Sequence, residues 1–357
     1  MKRIAIICVI LCMPLLIKAQ TQIPTLDDLD HEIAMSSQYD KQYEDVIRSV
    51  KKQLHAAKSM EARYDLSNKL FNLYTSYSVD SAIVYAMEKQ KIAKVMGNQS
   101  KVNDAKLNLA YLLIRGGELK DASDIINSIP RSGINQDLSF YYFSTRKTLY
   151  RTLADAALIP SQRKQYKQME KLCNDSVVDN NQSPDIWSRA EQLVNRQQYE
   201  QAKKILLDAY HHLKPGDRQT AFVSISLADI YGREKNVEAQ KQYLIAAAIS
   251  DIRNSVKEYL ALQQLAMILF EEGDTKRAYA YMDHAMNDAV FCNARQRTIA
   301  MADVWPAIEK SHERETKSRT LKLTAALVLI SLMSVFLLVM IIYTRRRVVE
   351  LLSLIHI

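Results

Sequence analysis

The sequence predicts an all-α chain, a solenoid of stacked helical hairpins followed by one membrane-spanning helix. Three observations carry that expectation: few turn residues, a helical motif recurring every 38–40 residues, and an uncharged apolar run late in the chain. Seven glycines and seven prolines in 357 residues are about a third of ordinary usage. Strands and tight hairpins need those residues for positive φ and for reversing the chain. Sandwiches, barrels, collagen-like repeats and Gly-rich nucleotide-binding folds are therefore disfavoured. With 48% hydrophobic and 25% charged residues, the chain is not a disordered one either.

The first element is a secretory signal peptide over residues 1–19: Lys2-Arg3, an apolar run from Ile4 to Ile17, then Lys18-Ala19, with cleavage expected after Ala19. Cys8 and Cys12 lie in the run, but Ile7 and Leu11 stand where a lipoprotein signal has a small residue, so lipidation is not expected. Cleavage leaves Cys173 and Cys292, which read as buried thiols, although their number alone also allows a pair. Residues 20–60 hold an N-terminal helix from about Leu26 to Ala57. Its Leu26, Leu29, Ile33, Tyr43, Ile47, Val50 and Leu54 form a stripe that Ser36 and Asp40 interrupt. The expectation is a cap packed on the first repeat, with a coiled-coil homodimer as the alternative. Asp27, Asp28 and Asp30 read as helix N-terminal charge rather than a calcium loop.

Residues 61–310 carry the repeat. Its best copy places Leu265-Ala266, Leu269, Gly273-Asp274, Ala278, Met282 and Ala285 at tetratricopeptide spacing. Other copies show Leu109-Ala110, Gly117 and Ala122; Ala190, Tyr199 and Ala202; and Leu227-Ala228, Tyr231 and Gln240. Asp80-Ser81-Ala82 opens a degenerate early copy, and residues 140–158 supply the first helix of a half-missing one. Ala82 and Ala122 are 40 apart, Ala122 and Ala202 80, and Ala202, Gln240 and Ala278 follow at steps of 38. Six hairpins are expected, in a tetratricopeptide-repeat-like α-solenoid. Small residues at Ala110, Ala122, Ala266 and Ala278 let paired helices approach to about 8–10 Å. Gly117 and Gly273 fall between helices, where positive φ is cheap only for glycine.

After a linker at 311–322, residues 323–343 (LTAALVLISLMSVFLLVMIIY) hold no charge and match the thickness of a bilayer core. Arg345, Arg346 and Arg347 follow, as the positive-inside rule asks of a cytoplasmic flank. Together with the signal peptide this predicts a single-pass inner-membrane protein with a periplasmic N-terminal domain and a cytoplasmic C-terminus. The formal charge of +8 sits largely in these flanks. Lys2, Arg3 and Lys18 at one end, and the three arginines net of Glu350 at the other, leave +3 over residues 20–344. That middle region does not read as a nucleic-acid surface. Residues 344–351 begin a cytoplasmic region. Residues 352–357 (LSLIHI) match one frame of a common transposase sequencing adapter, so a truncated natural terminus is expected there.

No phosphate-binding loop, H-E-x-x-H, C-x-x-C or G-x-S-x-G occurs, so no catalytic residue, metal or cofactor is expected. His211-His212 reads as a solvated helix end, and Trp187 and Trp305 as core or junction aromatics. In tetratricopeptide folds the first helix of each pair lines the groove, two and six residues after the Leu of the Leu-Ala pair. That rule nominates Tyr111 and Arg115, Glu191 and Asn195, Asp229 and Arg233, Met267 and Glu271 as a partner-binding face. Their mixed signs argue against a carboxylate clamp and for a peptide held by apolar pockets with a few charge-assisted bonds.

The order of signal peptide, helical repeat and span comes with Asp80-Ser81-Ala82, the stretch AKLNLAYLLIRGG, and FCNARQR (Phe291 to Arg297) followed by Pro306 and Glu309. Together these resemble a family of bacterial envelope proteins with tetratricopeptide-like ectodomains. The resemblance implies a cytoplasmic coiled coil and a helix-turn-helix-like domain of uncharacterised function beyond the span, and hence a transmembrane regulator. On this reading the periplasmic domain binds a peptide or protein and signals across the membrane. Nucleic acid would be met only through the missing cytoplasmic region. The alternatives are the ectodomain of a sensor histidine kinase and a periplasmic assembly scaffold without output.

Overall fold

The computed structural model describes residues 24–130, 134–179, 186–214 and 216–355. The expected signal peptide lies outside the described residues, as do the last two residues of the adapter-like tail. The described residues contain fifteen α-helices and no strand. A 31-residue helix α1 (Leu26–Ala56) comes first. Six hairpins follow: α2/α3 (Met60–Tyr74, Val79–Val95), α4/α5 (Gln99–Gly116, Leu119–Asn127), α6/α7 (Gln136–Ala156, Pro160–Asp179), α8/α9 (Ile186–Asn195, Tyr199–His212), α10/α11 (Arg218–Arg233, Val237–Arg253) and α12/α13 (Leu260–Glu272, Thr275–Cys292). A short α14 (Arg295–Ala302) then leads into α15 (Trp305–Ile355). The hairpin α6/α7 occupies the stretch where the repeat motif is half-missing.

Local chemistry explains where these helices start. Thr25 and Asp28 form a reciprocal capping box on α1, with Thr25 N–H donating to Asp28 Oδ2 at 2.8 Å. Ser59, Ser78, Asn98, Asn135, Asn236 and Asp274 each accept a backbone N–H at the start of a helix. The alanines expected at helix crossings, Ala110, Ala122, Ala266 and Ala278, are all completely buried. Gly117 and Gly273 end α4 and α12 at φ +84° and +88°. The corresponding turns after α8 and α10 place Gln197 at φ +60° and Lys235 at +59°.

Ion pairs repeat with the fold. Lys203 on α9 bonds Glu200 at 2.7 Å and Glu234, beyond α10, at 2.8 Å. Lys241 on α11 meets Glu238 at 2.9 Å and Glu272 on α12 at 2.7 Å. All three partners of the second set stand 38 residues after the first. Each set ties the second helix of a hairpin to the first helix of the next.

The superhelix returns onto its own start. Lys257 N–H donates to Ser76 O at 2.7 Å, and Phe291 meets Tyr77 edge-on at 5.4 Å. Asn293 donates to Asp80 Oδ1 at 2.9 Å, and Arg295 pairs with Glu118 at 3.5 Å. Arg115 bonds both Thr75 O and Glu258 across this seam. Helix α1 spans it. Ile47 and Val50 join a core cluster with α2 and α3, while Leu29 is buried in the cluster built by α11, α12 and α13. Beside Leu29, Glu32 pairs with Arg253 at 2.5 Å, and Asp30 accepts from Arg277 Nε at 3.0 Å and Tyr281 OH at 2.6 Å. Asp40 pairs with Lys257 at 2.6 Å. Helix α1 thus does more than cap the first hairpin: it fastens the first to the last.

Helix α15 runs 51 residues without a break, and it is long and apolar enough to cross a membrane, with a mean hydropathy of 3.0 in its most apolar stretch.

The positive-φ turns yield a stability prediction. A Cβ on Gly273 meets nothing within 4 Å, so Gly273→Ala adds backbone strain alone, about 1–2 kcal/mol. Lys235→Gly relieves the same strain one repeat earlier, offset in part by about 0.5–1 kcal/mol from glycine's freedom in the unfolded chain. Thermal melting of the two variants should therefore move in opposite directions. A fall in both would show that Lys235 is held there by something other than its backbone.

Candidate functional site

Among the described residues, two cavities are lined chiefly by the first helices of the hairpins. The larger, about 740 Å³, is a cleft walled by α6, α7, α8, α10 and the start of α12. On one wall Phe222 (α10) is 49% exposed and meets the ring of Trp187 (α8) edge-on at 5.6 Å. The Trp187 Nε1 hydrogen is buried without a hydrogen-bond partner among the described residues. Polar groups stand around this aromatic pair. Glu191 accepts from Lys147 Nζ at 2.6 Å and also from Arg151, whose Nε donates to Glu170 at 2.6 Å. Burial alone would raise the Glu191 carboxyl; Lys147 and Arg151 overcome it and hold that carboxyl below its ordinary value. Asp229 and Arg233, one helical turn apart, pair at 3.0 Å on the exposed rim.

Four of the eight residues nominated from the sequence, Glu191, Asn195, Asp229 and Arg233, come together in this cleft. Tyr111 lines the second cavity instead. Arg115, one turn beyond it, is largely covered at the seam, and Glu258 holds its guanidinium charged against the cost of burial. Met267 and Glu271 lie on α12 beyond Leu260 and Gln264, the residues of that helix that reach the cleft. Met267 packs partly buried against the core, and Glu271 is exposed. The nominated residues are thus divided among the cleft, the second cavity, the seam and α12. The repeat rule did not nominate Trp187 and Phe222. Trp187 is explicable as a junction aromatic from sequence, and Phe222 gains meaning only from its neighbour 35 residues away.

The second cavity, about 400 Å³, lies farther along the same face between α2, α4, α6 and the start of α10. Asn68, Asn72, Asp104 and Asn108 line it with Phe71, Tyr111 and Tyr141. Behind them Lys89 (α3) is completely buried. Burial draws its ammonium below the usual lysine range, and Asp104 pulls the other way. Among the described residues no group of His, Cys, Asp and Glu is arranged to hold a metal ion. His212 Nδ1 lies 2.7 Å from Asp208 O, a local contact within its own helix. Cys173 and Cys292 are both buried and unpaired.

This geometry defines the class: a tetratricopeptide-repeat (TPR) solenoid, a protein-interaction fold, followed by one long apolar helix. Comparison with protein families is more specific. The family described as the SusR N-terminal TPR domain matches residues 33–303. The chain belongs to that family. No curated protein matches it.

At the seam, burial and the nearby Glu258 carboxylate push the Asp251 carboxyl up to about 7, against the opposing pull of Arg218 and Arg297. The folded state therefore holds this proton more tightly than the unfolded state does, where the value is 3.8. Its stabilising contribution is full below the unfolded value and is lost as pH rises toward the folded one. Asp251→Asn mimics the protonated form. We expect the variant to melt a few degrees above the parent at pH 8, and the gap to close as the pH falls to about 4. A gap independent of pH would mean that the carboxyl is not protonated in the fold.

Proposed function

We propose that this protein binds a peptide or protein partner along its concave cleft, outside the inner membrane, and relays occupancy through α15 to a regulatory output on the cytoplasmic side. The observation that carries this reading is the half-exposed Phe222 seated against Trp187 among paired charges. A rigid aromatic anchor ringed by polar groups that can re-pair with a ligand is the composition of interface hot spots. Family membership supports the same reading, since the matched domain is described as the SusR N-terminal TPR domain and a TPR domain is a protein-interaction fold. The unbroken helix α15, whose root packs on α13 through Tyr279 and Trp305, supports the coupling.

Substituting Phe222 and Arg233 together by Ala should leave the melting curve unchanged, because both side chains are substantially exposed. It should weaken capture of the envelope partner by at least about tenfold, the scale of losing one hot spot. Undiminished capture by a folded variant would move the binding surface elsewhere.

Topology is testable apart from binding. A reporter active only in the periplasm should work when fused after Ser318 and fail when fused after Val348. Activity at the second site alone would reverse the proposed orientation.

A further inference from the structure

Lys89 lies on α3, a second helix, yet its ammonium is buried between the first helices α2 and α4. It donates to Asn68 Oδ1 at 2.6 Å, to Asp104 Oδ2 at 2.8 Å and to Asn108 Oδ1. The rings of Tyr64 and Phe71 each lie 5.2 Å from the same nitrogen. An ammonium has three hydrogens and no acceptor, so all three are committed here. It also settles the orientation of both carboxamides. Their oxygens must face Lys89, and their NH2 groups turn away from it, on the side of the cavity that Asn68 and Asn108 line. Asp104 Oδ2 accepts a second bond from Tyr64 OH at 2.7 Å, so its charge is met from behind as well.

The cavity is therefore rich in donors, with its acceptor atoms largely occupied at the back. Asn72, one turn after Asn68, adds a third carboxamide, and aromatic rings form the remaining wall. Arg218 is the single cation among the lining residues and Asp104 the single anion, and Asp104 is already met by the Lys89 ammonium behind it. The donors and the small positive excess that this leaves suit carbonyl oxygens. An extended peptide offers carbonyls on one edge at every second residue, about 6.5–7 Å apart. Side chains one helical turn apart, as Asn68 and Asn72 are, sit about 5–6 Å apart at Cβ and can follow that repeat.

We propose that this cavity is a main-chain clamp, in which Asn68, Asn72 and Asn108 donate to the backbone carbonyls of an extended, uncharged peptide segment and Lys89 positions Asn68 and Asn108. The clamp rests on the reading that the concave face binds a peptide, and it specifies how one end is held: through backbone, with little regard to side chains. The cleft at Phe222 then supplies the sequence preference.

The test uses the full-length protein in lipid nanodiscs and a library of heptapeptides with acetylated N-termini and amidated C-termini. Peptides retained by the parent are resynthesised and titrated by calorimetry. Asn68→Asp with Asn108→Asp keeps an oxygen for Lys89 and exchanges each NH2 for an acceptor. Asn72→Ala removes a donor that Lys89 does not hold, so it stays informative if the double variant fails to fold. A third arm replaces single peptide carbonyls by thioamides, which are weaker acceptors.

We expect the affinity to fall about tenfold or more in each arm, with Asn72→Ala melting like the parent. Unchanged affinity in the folded Asn variants would overturn the clamp. Should the same peptides instead be lost on substituting Phe222 and Arg233, the cleft reading stands and the clamp falls. Failure of the parent to retain any peptide overturns the clamp, leaving capture of folded partners at Phe222 to decide the wider reading.

Discussion

A solenoid of hairpins leaves an unpartnered apolar face at each end, and in this protein the two ends cover one another. Helix α1 makes that closure possible. Its C-terminal half packs on the first hairpin and its N-terminal half on α11 and α13, so one straight element fixes how far the superhelix turns. The polar contacts at the seam sharpen the register. Lys257 is held by Asp40 and by Asp288 at 3.1 Å, and Arg115 by Glu258 and a backbone carbonyl. Buried ion pairs add little net stability compared with apolar packing, but breaking one strands a charge at about 3–5 kcal/mol. A closure slipped by one turn would strand several.

The concave face inherits its shape from this frame. Each first helix is held on one side by its own hairpin partner and on another by neighbouring repeats, through pairs such as Lys203–Glu234 and Lys241–Glu272. The side chains lining the two cavities are accordingly held by one another and by the helices behind them. Glu191 is anchored by two cations, Trp187 is wedged against Phe222, and Asn68 and Asn108 are turned by Lys89. A ligand meeting such a surface finds it already ordered, and the entropy cost of ordering it has been met in folding.

The parts of this architecture legible in the sequence are those set by neighbours within one or two repeats. Ala110, Ala122, Ala266 and Ala278 marked helix crossings, Gly117 and Gly273 marked turns, and Leu26 to Ala57 bounded α1 to within a residue. Long-range partners left no such trace. Of Asp27, Asp28 and Asp30, only Asp28 acts locally as a cap; the other two reach Arg277, about 250 residues away. Lys89 stands near Lys91 and Lys94 in its own helix, and nothing in that segment announces the three polar and two aromatic groups that close over it. Arg115 and Arg233 occupy the same repeat position, yet one is sealed in the seam and the other lies on the cleft rim. Register says which way a side chain points. It does not say what stands opposite, and at Arg115 the opposite side is the far end of the chain.

The same seam bears on α15, the long apolar helix. Tyr279 on α13 stacks on Trp305 at 5.3 Å and on His312 at 4.2 Å, and Ile308 is completely buried. The root of α15 is thereby gripped by the hairpin that also touches α1, while α14, one step before it, pairs with Glu118 through Arg295. After Pro306 the helix contains no glycine and no proline, the residues at which long helices bend most sharply. Beyond the turn at Asp303-Val304 that separates it from α14, α15 has no such joint, so a movement of α13, which grips its root through Tyr279, is carried along the helix toward the apolar stretch. On the proposed reading, a ligand that draws α8 and α10 together in the cleft pulls on a ring whose closing hairpin carries the helix into the membrane. Closure then couples the cleft to the span, because an open solenoid could flex at its ends and leave α15 where it was.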